Sequence, residues 1–181
     1  MPTKPAARAY FGQAREDLAA AKAVAASGEA PSTFCMLLQM VFEKITKAAL
    51  LEAGFWTWEK AASTHVALKS NPGTRLLGTL KRNAKILGIP AYRWDYLSLK
   101  LRELEDRHPQ VYRDRARESE RGNAFARHGQ LEYPWKEEGE VRYPAGDLNL
   151  AKELRDPEQR WGAELLDLAS TLIERFDEIF A

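Results

Sequence analysis

Cysteine is nearly absent from this chain. Cys35 stands alone inside the apolar stretch "TFCMLLQMVF", where it reads as a small core residue. One thiol excludes an internal disulfide and a cysteine-built zinc framework, which fits a reducing compartment. Long apolar runs are missing too: none approaches the roughly 18 uncharged residues that a membrane span needs. The opening "MPTKPAARAYFGQARED" holds no apolar signal core, so a cytoplasmic location is expected. There is no glycine-rich phosphate loop, no paired-carboxylate signature and no serine or cysteine in a nucleophile context. The three histidines, His65, His108 and His128, fall in separate segments, which predicts no metal site; no cofactor is expected either. The net charge of +1 does not by itself point to nucleic acid.

What is present is helical periodicity. At 181 residues the chain reads as one domain, able to bury roughly two-thirds of its unfolded surface. Five segments place apolar residues at steps of three and four, and strand alternation is nowhere sustained. The first covers about 5–26, with Tyr10, Ala14, Leu18, Ala21 and Ala25 on one face and Gly28 as its stop. The second, about 32–53, is apolar around most of its circumference and reads as the central helix. The third, about 73–87, groups Leu76, Leu77, Leu80, Ala84 and Leu87. The fourth starts near Tyr92 and carries Trp94, Leu97, Leu101 and Leu104. For the fifth, Asp156 is the expected N-cap, with Pro157 at the first helical position and Gln159 completing a capping box. Trp161, Leu165, Leu168, Leu172, Phe176 and Ile179 then form a stripe. The expected fold is all-α, an antiparallel four-helix up-and-down bundle with one or two extra short helices.

Residues 122–155 interrupt the pattern, with Pro134, Pro144, several glycines and the aromatic clusters "EYPW" and "VRYP". They read as a long irregular loop before the last helix. Charge is also uneven. Between Lys69 and Arg93 lie six basic residues and no acidic one, whereas 153–178 holds eight acidic and three basic residues. Two readings stand: helix faces that attract each other within the bundle, or a basic face for phosphate or RNA beside an acidic face for a partner. Trp56 and Trp58, in "FWTWEK", read as core or interface anchors.

The central helix carries one thin polar line. Gln39, Glu43 and Lys47 recur at a spacing of four and so stack on a single face. The line is either a solvent edge or faces a cleft or a neighbouring subunit. In the second case its charges need partners, because an unpaired buried charge is very costly.

Taken in order, "AREDLAAAKAV", "LLQMVFEKITKAALLEAG", "STH" and "VRYPAGD" resemble the HEPN domain family (higher eukaryote and prokaryote nucleotide-binding). Asp17, Leu18 and Ala21 match its acidic-Leu-x-x-Ala helix. Glu43, Lys44, Lys47 and Ala48 match its second helix, His65 the following histidine, and Arg142, Tyr143 and Pro144 the Arg-Tyr-Pro stretch. The resemblance implies a helical module that binds RNA or nucleotide in a toxin–antitoxin or nucleotidyltransferase-associated system. A homodimer and an antitoxin or nucleotidyltransferase partner are implied with it.

Many members of that family are metal-independent ribonucleases that use an arginine separated by four to six intervening residues from a histidine, paired across a homodimer. Histidine moves the proton and arginine stabilises charge on phosphate. Two spacings here qualify: Arg121 with His128, the preferred catalytic pair, and Arg102 with His108, the lesser alternative in a run that looks like a solvated face. For binding, Arg142 offers a bidentate phosphate contact and Tyr143 a stacking ring, with Lys47, Glu43, Lys81, Arg82 and Lys85 as further candidates. The structural alternative is that Tyr143 packs on the bundle and Arg142 pairs with a core-edge acid such as Glu43. His65 reads as a cap-side or packed histidine. A protein-only interaction module is the remaining alternative.

Overall fold

The computed structural model describes residues 4–108, 131 and 139–180, together with the backbone of 135–137. The fold is all-α. Helix α1 (Pro5–Ser27) begins with proline at its first position and ends at Gly28, whose φ of 68° closes the helix through an N–H bond to Val24. A short turn returns the chain as α2 (Pro31–Glu52). The α1 residues that meet it are Ala7, Phe11, Ala14, Leu18 and Ala21. The buried face thus starts nearer the N-terminus than the periodicity alone suggests, and Ala25 is exposed. Alanines on this face let the two backbones approach closely.

Helix α2 is the central element, as expected. It packs on α1, on α5 (Trp94–Asp106) and on α8 (Trp161–Glu174), while α8 also touches α1 and α5. These four close around one core that includes Leu38, Phe42, Ile45, Leu97, Leu101, Trp161, Leu165 and Leu168. Each such side chain contributes about 1.5–3 kcal/mol on burial. Cys35 lies wholly inside this core, and burial, with the charge of Glu153 adding, pushes its thiol well up from its ordinary range.

Between α2 and α5 come two further helices. Helix α3 (Trp58–Ser63) starts where the Thr57 side chain accepts the N–H of Lys60. Helix α4 (Asn71–Asn83) starts earlier than the periodicity suggests, because Ser70 caps it by accepting the N–H of Gly73 at 3.1 Å. Gly73 is required there: a Cβ would sit 2.0 Å from the carbonyl oxygen of Ala67.

Of the expected loop 122–155, residues 122–130, 132–134 and 138 lie outside the described residues, and the described part carries short elements. Strands β1 (Trp135–Glu137) and β2 (Glu140–Arg142) form a short antiparallel hairpin turned by Gly139 at φ 87°. Helices α6 (Pro144–Asp147) and α7 (Asn149–Glu153) follow, and Leu148, Leu150 and Ala151 are buried. Lys100 of α5 holds α7 in place through Glu153 at 2.7 Å.

The last helix does not start at Asp156. That carboxylate instead accepts the N–H of Glu158 and closes a local turn, and Gln159 accepts the Tyr96 hydroxyl. Helix α8 begins at Trp161. A break at Arg175, whose guanidinium reaches the Leu87 carbonyl and Glu178, separates it from α9 (Phe176–Phe180). The apolar stripe still runs through both: Trp161, Leu165, Leu168, Leu172 and Phe176 are buried.

Candidate functional site

The polar line of α2 is not a solvent edge. Gln39, Glu43 and Lys47 are only 1%, 7% and 4% exposed. A buried carboxylate and a buried ammonium are tolerable only when each is compensated. Glu43 receives that compensation along its own helix: Lys47 Nζ lies 2.7 Å from Oε1, and Gln39 Nε2 donates to Oε2 at 2.8 Å. The Lys47 ammonium also sits 5.2 Å from the centroid of the Tyr10 ring on α1. Burial, together with the Glu43 charge, raises the Tyr10 hydroxyl above its ordinary value. The Gln39 Oε1 atom is buried and has no hydrogen-bond donor among the described residues.

At Glu43, its middle residue, this seam meets two imidazoles. His65, in the segment between α3 and α4, places Nδ1 3.8 Å from Glu43 Oε1. His108, just beyond α5, stacks flat on His65, with centroids 5.1 Å apart and planes 10° from parallel. Both rings are partly exposed, so the cluster has a buried floor of Glu43 and Lys47 and an open rim of imidazole.

Glu105 sets this arrangement. It is fully buried in the last turn of α5, where its two oxygens accept the backbone N–H groups of Leu68 and Lys69, each at 2.8 Å. The carboxylate stands three residues before His108, and the amides it holds begin three residues after His65. One side chain thereby fastens both histidine-bearing segments to each other. The Lys69–Asp106 ion pair reinforces the joint. Burial pushes the Glu105 carboxyl up to about 7; the Glu43 charge adds to the rise, and the two backbone bonds and Lys69 oppose it.

The other candidates take different places. Arg142 pairs with Glu140 at 3.0 Å and with Asp147 at 3.8 Å. Among the described residues, Glu43 is met by Gln39, Lys47 and His65, so the expected Arg142–Glu43 pair does not form. Tyr143 is 57% exposed; its ring lies over Gly146 and its N–H is held by Asp147. Lys81, Arg82 and Lys85 are exposed on α4 and the turn after it, with Lys81 paired to Asp95 at 2.6 Å. Arg121 and His128 lie outside the described residues. Arg102 is exposed, whereas its partner by spacing, His108, is drawn into the cluster. The matched residues Asp17, Leu18 and Ala21 are buried where α1 faces α2, and Asp17 takes Lys44 at 2.5 Å.

The histidine cluster and the role of Glu105 escape a reading of spacing. One signal was available for Glu105: it stands four residues after Leu101, so it extends the apolar stripe of α5 as a carboxylate. Comparison with protein-family models, curated proteins and solved structures gives no match for this chain. Among the described residues, no helix is long and apolar enough to cross a membrane.

Proposed function

We propose that the chain is a HEPN-type helical module that binds RNA or nucleotide, as the resemblance of its ordered motifs implies. The observation that supports this reading is the cationic edge of α4. Part of the basic segment is used internally: Arg93 pairs with Glu164, and the Tyr92 hydroxyl donates to Asp167. Arg75, Arg82 and Lys85 remain exposed and have no acidic partner among the described residues, which leaves them to meet phosphates. A protein partner, whether a second copy, an antitoxin or a nucleotidyltransferase, fits the apolar groove of about 580 Å³ between the end of α2, α4 and α9, which the exposed Phe55 borders.

Fluorescence anisotropy with a labelled single-stranded RNA, and with a nucleotide, tests the reading across a salt series. Binding weakens as salt rises, and the double variant Arg82→Ala/Lys85→Ala lowers affinity for all sequences alike, reducing the salt slope by about 1.4. Absence of affinity at low salt, or an unaltered slope in the variant, removes the proposal.

A second reading, a metal-independent endoribonuclease, is favoured by the stacked His65–His108 pair. Two adjacent imidazoles can take a proton from a ribose 2′-hydroxyl and return one to the leaving oxygen. Cleavage of RNA in EDTA that disappears in His108→Ala supports it; cleavage that survives this change does not.

A further inference from the structure

We infer that Glu43, His65 and His108 form a binding site for one first-row divalent cation of the zinc class. This inference does not rest on the RNA reading, and each can fail without the other. Its basis is geometric. One donor atom from each of the three residues lies within 4.8 Å of the other two, although the residues come from α2, the α3–α4 segment and the end of α5. Four-coordinate zinc, with ligand bonds of about 2.0–2.1 Å, keeps its donors about 3.3 Å apart. Binding an ion draws the three donor atoms inward from their present spacing.

The donor set matches the ion. Two imidazoles and one carboxylate are the ligands that zinc and its neighbours take at three-residue protein sites, which leave a further position for water or an incoming oxygen. Both rings are partly exposed, which places the cluster within reach of solvent. The surroundings are those of a supported site. Gln39 already fixes the second oxygen of Glu43, and Glu105 fastens the segments that carry both rings.

Lys47 is the built-in competitor. Its ammonium sits 2.7 Å from the same Glu43 oxygen that faces His65, so it neutralises the carboxylate from the side an ion would take. A cation must displace it, and removing it favours the cation. This predicts an inversion that a purely structural histidine stack does not produce: loss of either imidazole weakens metal binding, while loss of the lysine charge strengthens it.

The test uses the full chain stripped with a chelator, then titrated with Co²⁺ followed by its displacement with Zn²⁺. One equivalent of Co²⁺ gives a visible ligand-field absorption that Zn²⁺ removes. His65→Ala and His108→Ala each weaken the affinity by about tenfold or more, and Lys47→Met tightens it. If the variants lose their helical circular dichroism, X-ray absorption on the Zn²⁺-loaded unaltered chain decides: two imidazole ligands support the site. Absence of a one-to-one cobalt complex, affinity unchanged from the unaltered chain in the folded histidine variants, a folded Lys47→Met that binds more weakly, or fewer than two imidazoles would each overturn it.

Discussion

The Glu105 carboxylate accepts the Leu68 N–H at 2.8 Å from a position with no exposure to solvent. Its carboxyl is raised to about 7 in the folded chain, chiefly by burial. A raised carboxyl binds its proton more tightly folded than unfolded. Between the ordinary carboxylate range and neutrality the unfolded chain has released that proton and the folded chain has not. Stability therefore falls as pH climbs from about 5 to about 8, by on the order of 1–3 kcal/mol. Urea denaturation at the two pH values measures the change. The Glu105→Gln variant is expected to lose most of it, and an equal pH slope in the variant would remove Glu105 as its source.

Asp17 and Lys44 join α1 to α2 across a largely buried interface at 2.5 Å, with Gln13 also donating to Asp17. Removing one partner leaves the other charge uncompensated. Asp17→Ala is expected to cost about 3 kcal/mol, and the double variant Asp17→Leu/Lys44→Met to recover a large part of that. A double-mutant cycle with a coupling near zero would show the pair to be dispensable.

Gly73 has no room for a methyl group, because the Ala67 carbonyl closes over it. Gly73→Ala is therefore expected to destabilise the chain by about 1–3 kcal/mol, although alanine is the better helix former. Thermal unfolding checks the sign. A more stable variant would mean that the Ser70-capped turn yields easily.

Lys100 is buried beside the Tyr96 and Trp161 rings and pairs with Glu103 at 2.9 Å and Glu153 at 2.7 Å. Burial pulls its pKa down, but the two carboxylates outweigh that and leave it raised. Lys100→Ala is expected to loosen α7 from α5, so that amide exchange at Lys152 and Leu154, whose N–H groups bond the carbonyls of Leu148 and Leu150, speeds up more than at Leu101. An equal change at all three sites would place the hold on α7 elsewhere.

The long helices are legible because each must bury a stripe, and a stripe repeats at three and four residues: Leu97, Leu101 and Leu104 announce α5 as plainly as Trp161, Leu165 and Leu168 announce α8. Short elements carry no such signal. Six residues make α3, and a threonine cap starts it; the β1–β2 hairpin has three residues per strand. Asp156 shows how a start signal misleads, since the same carboxylate suits a local turn as well as a helix cap. The candidate site is half legible. The line of Gln39, Glu43 and Lys47 is written in one helix, but its meeting with His65 and His108 is created by packing, and no local spacing encodes it.

Cys35 has a practical consequence. Its thiol is wholly enclosed and held in its neutral form, so an alkylating reagent can reach it only in molecules that have opened. Because it is the sole sulfhydryl, its labelling rate times the opening of the interior without any engineered probe.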